Sequence, residues 1–417
     1  MFVPVALLIG RLVRFAVRLV RPGGGSALPG LVVSKLVPNL VYRTLGKFKR
    51  GLVIITGTAG KSTTTKMVVA IVRAHGVSVF TNPSTANIEQ GFFSTIVKTG
   101  NLLGQVPGEI AILEMDEGHA AATVNKVKPA ISAVLNVFED QLDRFIDPSL
   151  VREKLAEVTK ATKHSVVLNA DDQNCIDMPL SSTAKASYFG AGKKIPKIQY
   201  AKTYAPDLPR PTVSYEAISL EERNLKVKSR FGTNQLQLPS RGEHFALDAV
   251  AALLIAEEVM GKQFDIQLAV EALNVMPPVF SRGEVKKING EEIEFILIQN
   301  PISFELNLAN LPKQIGPIML AIGRDVHDPS WLWTVDLSSL KHVHTVTGFN
   351  YADAALLLTY SGIEFEVAEA DYFKAIDDFL KLPYTGKGRK TVLYSADAMR
   401  RLRRYLGFTD PEEVERV

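Results

Sequence analysis

The chain has 417 residues, which is enough for two or three domains that each bury a hydrophobic core. Hydrophobic residues make up 46% of it and charged residues 22%, with a net charge of +4, so the composition fits a globular protein and points to no nucleic-acid partner. The only cysteine, Cys175, excludes a disulfide framework and a multi-cysteine metal site, and it suits a cytosolic protein.

The N-terminal leader, residues 1–46, begins with a predicted amphipathic helix and continues into a glycine-rich turn. Four arginines recur on one narrow face of this helix: Arg11, Arg14, Arg18 and Arg21. Such a helix either lies on an anionic membrane surface or packs against the domain beside it, and the sequence leaves both roles open. We predict no membrane-spanning segment, because arginines interrupt each long apolar run, and no secretory signal. The expected location is the cytoplasm, with peripheral contact at the inner face of the membrane as the open alternative.

The next feature is a glycine-rich loop between a predicted strand and a predicted helix. The apolar run 52–56 has the composition of a buried parallel strand, and residues 63–74 have helical spacing. Backbone N–H groups of such a loop close around phosphate oxygens, and the helix N-terminus adds its positive end. Lys61 would reach the β- and γ-phosphates, and the Ser62 hydroxyl would bind Mg²⁺. We therefore predict a nucleoside triphosphate site at Gly57, Thr58, Ala59, Gly60, Lys61, Ser62 and Thr63.

Strand-like and helix-like patterns alternate from residue 51 to about residue 172. This alternation is typical of a doubly wound parallel sheet, in which functional residues lie at the carboxyl ends of the strands. Helices are predicted after Lys61, after Asn87 and after Asp147. The predicted strands are residues 52–56, 77–81, 109–115, 131–137 and 165–169.

Polar side chains stand where several of these strands end. Glu114 and Glu117 lie at the end of the third strand, where a carboxylate would hold Mg²⁺ directly or through water, although a solvated acidic turn is the simpler alternative. Asn136 lies at the end of the fourth strand, and Asn169 and Asp172 lie at the end of the fifth. We predict that these three residues contact the bound nucleotide.

The second half of the chain changes character twice. Residues 176–240 hold prolines and short alternating runs, which indicate a small β-rich insertion, and a strong helix follows at 246–260. Residues 263–283 are predicted to be a hinge. From residue 284 a second alternating pattern predicts a Rossmann-like domain, with the active site in the cleft between the two units. The segment GRDVHDPSWLWTVD in this domain carries four further candidates for functional side chains: Asp325, His327, Asp328 and Asp336.

Several landmarks occur in an order found in one enzyme family: GTAGKST, LEMDE, NVFEDQLDR, NADD and the helix start GEH. On these motifs the chain resembles the Mur ligases, ATP-dependent enzymes that join an amine to a carboxylate during peptidoglycan precursor synthesis. Within that family it is most similar to the MurT group, on GGGSALPG, FSRGE, QNPISF and DPSWLWTVD. The resemblance implies a central phosphate-loop ATPase domain with a parallel sheet, followed by a Rossmann-like C-terminal α/β domain. The predicted divisions are a leader at 1–46, a central domain at 47–262 that includes the 176–240 insertion, a hinge at 263–283 and a C-terminal domain at 284–417.

The resemblance also implies an activity. MurT proteins are the synthetase subunits of lipid II isoglutaminyl synthase. They phosphorylate the α-carboxylate of D-isoglutamyl in the lipid II stem peptide, and ammonia then displaces the phosphate to give D-isoglutamine. The ammonia comes from a separate glutaminase subunit, GatD, whose catalytic triad is completed by an aspartate of MurT. Asp328 is the first candidate for that aspartate and Asp325 the second.

The family motifs further imply that His244 and Arg282 contact the nucleotide. The expected cofactors are ATP and Mg²⁺. No zinc is expected, because the chain has a single cysteine, Cys175, so residues 176–240 cannot build the four-cysteine zinc ribbon that many MurT proteins carry there. The expected partners are lipid II and a GatD-like glutaminase in a heterodimer, with no nucleic acid.

Two other functions stay open at this point. An amino-acid-adding Mur or folylpolyglutamate-type ligase would share the chemistry, but it would need an amino-acid pocket in the C-terminal domain. A nucleotide-binding assembly partner without turnover is the other alternative. This alternative rests on Phe245 and Asp248, which stand where Mur relatives commonly place asparagines near the adenine. It also rests on Thr334, which stands where an aspartate often follows the second tryptophan.

Overall fold

The computed structural model describes residues 3–20, 28–83, 89–138, 148–200, 207–278, 282–326 and 328–408. Within these ranges the chain forms two α/β units, each built around one sheet. The fold class predicted from the sequence is confirmed, because a largely parallel sheet carries the phosphate loop and a second, largely parallel sheet follows it.

Three helices precede the first strand: α1 (Val3–Val20), α2 (Leu28–Leu36) and α3 (Leu40–Leu45). Their buried side chains, among them Leu7, Val33 and Leu45, share one hydrophobic core with Phe93 of the first unit. One face of α1 is therefore packed against its neighbours. Among the helices of the described ranges, none is both long enough and apolar enough to cross a membrane.

The strands of the first unit are β1 (Leu52–Thr56), β2 (Val79–Phe80), β3 (Ile110–Glu114), β4 (Ile131–Val134), β5 (Ser165–Asn169), β6 (Lys185–Ala191), β7 (Tyr215–Glu221), β8 (Asn224–Ser229) and β9 (Gly232–Gln237). Their order in the sheet is β2-β3-β1-β4-β5-β6-β7-β8-β9. The pairs through β7 are parallel, and β8 and β9 are antiparallel additions at one edge. All residues of β1, β3, β4 and β5 are buried, as expected for parallel strands covered by helices on both faces.

The helices of the first unit are α4 (Lys61–Ala74), α5 (Glu89–Thr99), α6 (Glu117–Val124), α7 (Pro148–Ala161), α8 (Gln173–Ile176), α9 (Glu243–Met260) and α10 (Ile266–Asn274). Helix α9 is apolar around most of its circumference, so its stable position is a buried one. It packs against α4, which begins at the phosphate loop, and against β6 and β7. The start of α9 is thereby fixed beside the phosphate loop.

Two parts of the first unit differ from the sequence prediction. The residues predicted as an insertion supply β6 to β9, which continue the main sheet, because their inward side chains (Tyr215, Leu225 and Val227 among them) join the core under α9. The segment predicted as a hinge, residues 263–283, contains α10. Asp265 caps this helix, and the apolar side chains of the helix recur at helical spacing.

The strands of the second unit are β10 (Arg282–Ile288), β11 (Glu291–Leu297), β12 (Ile318–Ala321), β13 (His342–Thr347), β14 (Glu364–Glu369) and β15 (Lys390–Tyr394), in the order β10-β11-β15-β12-β13-β14. Only the pair of β10 and β11 is antiparallel among them. The helices are α11 (Pro301–Ala309), α12 (Tyr351–Tyr360), α13 (Tyr372–Lys381) and α14 (Ala396–Tyr405), with a short 3₁₀ helix at Pro329–Thr334. Arg282 and Gly283, which the sequence placed in the hinge, belong to β10.

Candidate active site

The phosphate loop joins β1 to α4, and two glycines make its path possible. Gly57 has φ of +126° and Gly60 has φ of +82°, a region that residues with a side chain rarely adopt. A Cβ atom on Gly57 would lie 3.0 Å from backbone atoms of Asn136, and one on Gly60 would lie 2.2 Å from Oδ1 of Asp248. The loop is therefore pressed against the end of β4 on one side and against α9 on the other.

Asn136 holds the loop in this shape. The N–H of Ala59 donates to Oδ1 of Asn136 at 2.8 Å, and Nδ2 of Asn136 donates back to the carbonyl of Ala59 at 3.1 Å. The backbone carbonyl of Asn136 also accepts from the N–H of Thr58 at 3.1 Å. Asn136 lines the cavity, as a nucleotide contact requires, but its amide is already engaged by the loop.

Lys61 lies inside the loop with its ammonium group folded back. Its Nζ donates to the carbonyl of Gly57 at 2.6 Å and to the carbonyl of Thr58 at 3.2 Å, and it lies 3.5 Å from Oε1 of Glu117. Glu117 is buried, and burial raises its pKa while the charge of Lys61 opposes that rise. The loop thus holds one cation directly beside the space that phosphate oxygens would take.

Of the three residues predicted to bind a metal, Ser62 lines the cavity, whereas Glu114 and Glu117 lie outside its lining. Oγ of Ser62 is 3.4 Å from Nη2 of Arg282, and Glu117 is the neighbour of Lys61. Glu114 is buried at the end of β3, where the side chain of Asn82 contacts its backbone N–H and carbonyl. No group of three or more histidine, cysteine or acidic residues within the described ranges has the spacing of a metal site. The oxygen donors present fit Mg²⁺, which is usually held by one or two carboxylates together with phosphate oxygens and water.

A cavity of about 280 Å³ lies in front of the loop, between the two units. The first unit contributes Asn136, Phe138, Asn169, Tyr200, His244 and Asp248, together with loop residues 58–63. The second unit contributes Arg282 from β10, Gln299 beyond β11, and Asn300, Ser303 and Asn307 of the α11 region. The volume is at the lower end of the range for small-molecule sites. The phosphate loop and the polar start of α11 therefore face the same space.

Polar contacts between described residues join the two units at and near this cavity. Arg282 lies between them, with Nη2 at 3.4 Å from Ser62 and 3.3 Å from Gln299. Arg241 forms two hydrogen bonds to the buried carboxylate of Glu294, at 2.7 and 2.8 Å. Nδ2 of Asn310 donates to Glu243 at 2.8 Å.

We expect Arg241→Ala to lower the free energy of unfolding by about 3 kcal/mol, because it leaves the buried charge of Glu294 without its partner. Urea unfolding of the purified chain measures this change. The matched control is Arg389→Ala, which removes a partner of similar geometry from the exposed Glu292 and should cost less than about 1 kcal/mol. Equal losses in the two variants would show that the Arg241 contact does not hold the units together.

His244 stands at the start of α9 and lines the cavity. Its ring is buried, and burial together with the nearby charge of Arg282 lowers its pKa to about 4, so it is neutral at physiological pH. Its Nδ1 atom is buried without a hydrogen-bond partner among the described residues. A neutral ring with an open nitrogen suits contact with a polar group of a ligand, and the contact of His244 with nucleotide stays a prediction.

Asp248 lies one turn further along α9, directly under the phosphate loop. Burial raises its pKa to about 8, although Thr64, whose hydroxyl donates to it at 3.2 Å, and the charge of Arg282 both oppose the rise. Most of this carboxyl group is therefore protonated at neutral pH. The phosphate site thus gains no full negative charge from this residue.

We expect Asp248→Asn to change how stability depends on pH. The ordinary pKa of the carboxyl is 3.8 and the folded value is about 8, so the folded chain binds more protons between these values and its free energy of unfolding falls as pH rises. Asparagine does not titrate, so the fall between pH 5 and 7 should be smaller in the variant by on the order of 2 kcal/mol. Denaturant unfolding across this range measures it. Parallel pH curves for the two proteins would contradict the buried, protonated state of Asp248.

Asp172 lies outside the cavity lining and makes hydrogen bonds within the protein, and its contact with nucleotide stays a prediction. Its carboxylate is fully buried, accepts from the N–H of Val137 at 2.7 Å and caps α8 through the N–H of Asn174 at 3.0 Å. Burial raises its pKa to about 6. Asn169 does line the cavity, but its Nδ2 donates to the carbonyl of Leu135 and to the hydroxyl of Tyr200. The sequence placed both residues at the correct edge of the sheet but could not show that these groups were already engaged.

The two catalytic aspartates proposed for the second unit lie outside the cavity lining. Both carboxylate oxygens of Asp325 are used at the start of α14, where they accept from Ser395 Oγ at 2.6 Å and from two backbone N–H groups at 2.8 and 2.9 Å. Asp328 is exposed. It caps the 3₁₀ helix, and its hydrogen bonds with Ser330 lower its pKa. His327 lies outside the described residues. Asp328 is thus the accessible member of the pair.

Sequence reasoning missed the second wall of the cavity and the bridge between Arg241 and Glu294. One signal for the wall was present: an asparagine followed by proline, with a serine three positions after the asparagine, is a helix-start pattern. Asn300 and Ser303 do form a reciprocal capping box there. The bridge had no local signal, because its two residues are 53 positions apart.

Comparison with known proteins agrees with this geometry. Residues 55–256 match the model of the Mur ligase middle domain. The chain is 28% identical over 377 residues to the MurT subunit of the glutamine-hydrolysing lipid II isoglutaminyl synthase of Streptococcus pneumoniae, covering 80% of each chain. It is 23% identical over 409 residues to the same subunit of Staphylococcus aureus, covering 89% of this chain and 91% of the relative.

Solved structures share the fold. A MurF ligase from Thermotoga maritima in complex with ADP superposes with a TM-score of 0.65 at 19% identity, over 90% of this chain and 83% of that chain. MurF from Acinetobacter baumannii superposes with a TM-score of 0.67 at 15% identity, over 91% of this chain and 80% of that chain. At these identities the superpositions establish the fold alone.

Proposed function

Because residues 55–256 match the Mur ligase middle domain and most of the chain is similar to MurT subunits, we propose that it is a Mur-type ATP-dependent ligase of peptidoglycan synthesis. More specifically, it amidates the α-carboxylate of D-isoglutamyl in the lipid II stem peptide. The supporting observation is the cavity between the two units, which has a phosphate loop on one wall and a polar helix start on the other. The similarity to MurT subunits over most of both chains favours amidation over the other Mur reactions.

The residues of the first unit fit the activation of a carboxylate by phosphate. A carboxylate does not react with an amine until a good leaving group is attached, and an acyl phosphate supplies one. The loop N–H groups and Lys61 would hold the triphosphate and neutralise charge on the transferring phosphoryl group. Ser62, Glu114 and Glu117 would hold Mg²⁺, which when bound supplies further charge neutralisation at the phosphates.

The residues of the second unit fit the acceptor. Gln299, Asn300, Ser303 and Asn307 line the cavity wall opposite the loop. Asn300 and Ser303 are paired with each other in the capping box, so the side-chain amides of Gln299 and Asn307 are the groups that suit the peptide and carboxylate groups of a stem peptide. Arg282 lies between Ser62 and Gln299, where it can contact negative charge from either side. These side chains would place the acceptor carboxylate beside the phosphate that activates it.

The nitrogen would come from a GatD-like glutaminase in a heterodimer. The only cysteine of the chain is buried, and burial raises its pKa, so this chain offers no reactive thiol for glutamine hydrolysis. Asp328 is exposed on the second unit, where a partner can reach it, and we assign it to the partner's catalytic triad.

The test is to purify the chain with its candidate glutaminase and supply ATP, Mg²⁺, glutamine and lipid II. We expect ATP consumption together with an amidated stem peptide. Addition of an amino acid to the peptide in place of the amide would identify an amino-acid-adding ligase. Nucleotide binding without consumption of ATP would identify a non-catalytic assembly partner.

A further inference from the structure

Helix α1 exposes a continuous apolar stripe on the side that faces away from the protein. Five side chains form this outward stripe: Val5, Leu8, Leu12, Phe15 and Leu19. They are spaced three and four residues apart, so they lie in one row along the helix. Leu12, Phe15 and Leu19 are 68%, 64% and 69% exposed. A surface helix normally presents polar side chains on this side, so the stripe requires an explanation.

The opposite face of α1 is fixed to the protein, so the stripe cannot turn inward. Leu7 is fully buried, and a Cβ atom on Gly10 would lie 2.5 Å from a methyl group of Val33 in α2. Arg11 donates to the carbonyls of Val97 at 3.4 Å and Gly100 at 2.5 Å, at the end of α5. The helix is thus anchored along one face while the other meets solvent.

All charged side chains in the stretch of sequence that contains α1 are positive. The first 88 residues contain twelve lysines and arginines and no aspartate or glutamate, whereas the rest of the chain has 36 basic and 44 acidic residues. Lys35, Arg43 and Lys47, on or beside α2 and α3, are exposed. A positive region around an apolar stripe complements a surface with negative head groups above an apolar layer.

The size of the stripe argues against a stable protein interface. A helix of 18 residues is about 27 Å long and about 10 Å wide, so its outward face offers a few hundred Å². Stable protein partners usually bury about 800 Å² on each side. A single row of side chains on one helix instead matches the shallow insertion of an interfacial helix.

We propose that the outward stripe of α1 docks this protein on the surface of a bilayer that contains anionic phospholipids. The leucines and Phe15 enter the boundary between head groups and acyl chains, and the basic residues of the N-terminal region attract the negative head groups. Helix α1 would then fill both roles that the sequence leaves open, because one face packs on the protein and the other meets the membrane. It does not depend on the proposed ligase activity.

Co-sedimentation of the full chain with lipid vesicles tests this proposal. We expect binding to vesicles of phosphatidylcholine mixed with phosphatidylglycerol, and weaker binding to phosphatidylcholine alone. Raising NaCl from about 0.1 M to about 0.5 M should weaken the binding, because salt screens the head-group attraction. The double variant Leu12→Gln, Phe15→Gln should bind at least about tenfold more weakly.

The matched control is Val275→Gln, Leu356→Gln, which removes two exposed apolar side chains from other surfaces and should bind like the unchanged protein. All four positions are exposed, so thermal unfolding should be unaffected in both double variants. The proposal would be overturned if the Leu12→Gln, Phe15→Gln variant bound vesicles as well as the unchanged protein does. It would also be overturned if the unchanged protein did not bind vesicles. A dimer that this variant converts to monomer, without vesicle binding, would instead identify an interface between two copies.

Discussion

The Lys61→Ala variant is expected to lose ATP-dependent product formation by about a thousandfold or more. Lys61 is the cation inside the phosphate loop, and charge stabilisation of this kind is often worth two to three orders of magnitude, with more for phosphoryl transfer. Its carbon chain is not part of the hydrophobic core, and Glu117 can take up a proton when its partner is removed, because burial already raises its pKa. Fold stability should therefore change much less than turnover.

Coupled measurement of ADP release and amidated product tests this expectation. The matched control is Lys262→Ala, an exposed lysine beyond the end of α9, which should retain full turnover. Thermal unfolding of both variants shows whether the folded chain is preserved. If a folded Lys61→Ala protein turned over at the unchanged rate, the phosphate loop would have no part in the reaction.

The Asp328→Asn variant is expected to lose glutamine-dependent turnover by about a hundredfold or more while it keeps turnover with free ammonia. A catalytic triad that lacks its aspartate loses several orders of magnitude, because the histidine is no longer held in the correct tautomer. Ammonia supplied directly bypasses that step. Asp328 lies outside the cavity lining, so amidation itself should proceed.

The segment offers a close control for this experiment. Asp336 is also exposed, and its carboxylate accepts from the backbone N–H two positions ahead at 2.9 Å, as that of Asp328 does. Asp336→Asn should leave both nitrogen sources unaffected. Equal loss with glutamine and ammonia in Asp328→Asn would show that this residue does not serve the partner.

Asp325, the second candidate, should behave differently from Asp328. Its carboxylate ties the segment after β12 to the start of α14 through three hydrogen bonds, so its loss affects the fold of the second unit. A change confined to glutamine use is therefore the signature that separates the two aspartates. A selective effect in Asp325→Asn would reverse the assignment.

Much of the fold was accessible from the sequence because it depends on local patterns. Strand β5 has the predicted bounds, and β1 and α4 flank the glycine loop as expected. The alternation of short buried strands with amphipathic helices was enough to predict both sheets. The resemblance to Mur ligases then gave the order of the two units.

The parts that escaped prediction depend on contacts between distant residues. Strands β6 to β9 were predicted to be an insertion. The alternation of apolar and polar residues indicates a strand but does not show which sheet the strand joins. Asp172 follows a strand in the position of a ligand-binding residue, yet the structure uses it to hold Val137 and α8. No local pattern shows which polar groups folding has already paired.

In the nucleotide site too, local patterns could be predicted and contacts between distant residues could not. The glycines of the loop could be interpreted from their spacing, but the reason for Gly60 is Asp248, which lies 188 positions away and touches the loop only after α9 packs on α4. The protonated state of Asp248 follows from the same burial. Its effect on a bound base or phosphate depends on that packing and not on the identity of the residue alone.

The most direct test of the proposed amidation traces the amide nitrogen of glutamine into the stem peptide. The chain and its candidate glutaminase are incubated with ATP, Mg²⁺, lipid II and glutamine that carries an isotopic label in its side-chain amide, and the stem peptide is analysed by mass spectrometry. We predict that the label appears as an amide on the α-carboxylate of the D-isoglutamyl residue, in step with ATP consumption, and that it disappears with Lys61→Ala. An unlabelled stem peptide formed while ATP is consumed, or a peptide extended by a whole amino acid, would contradict this account.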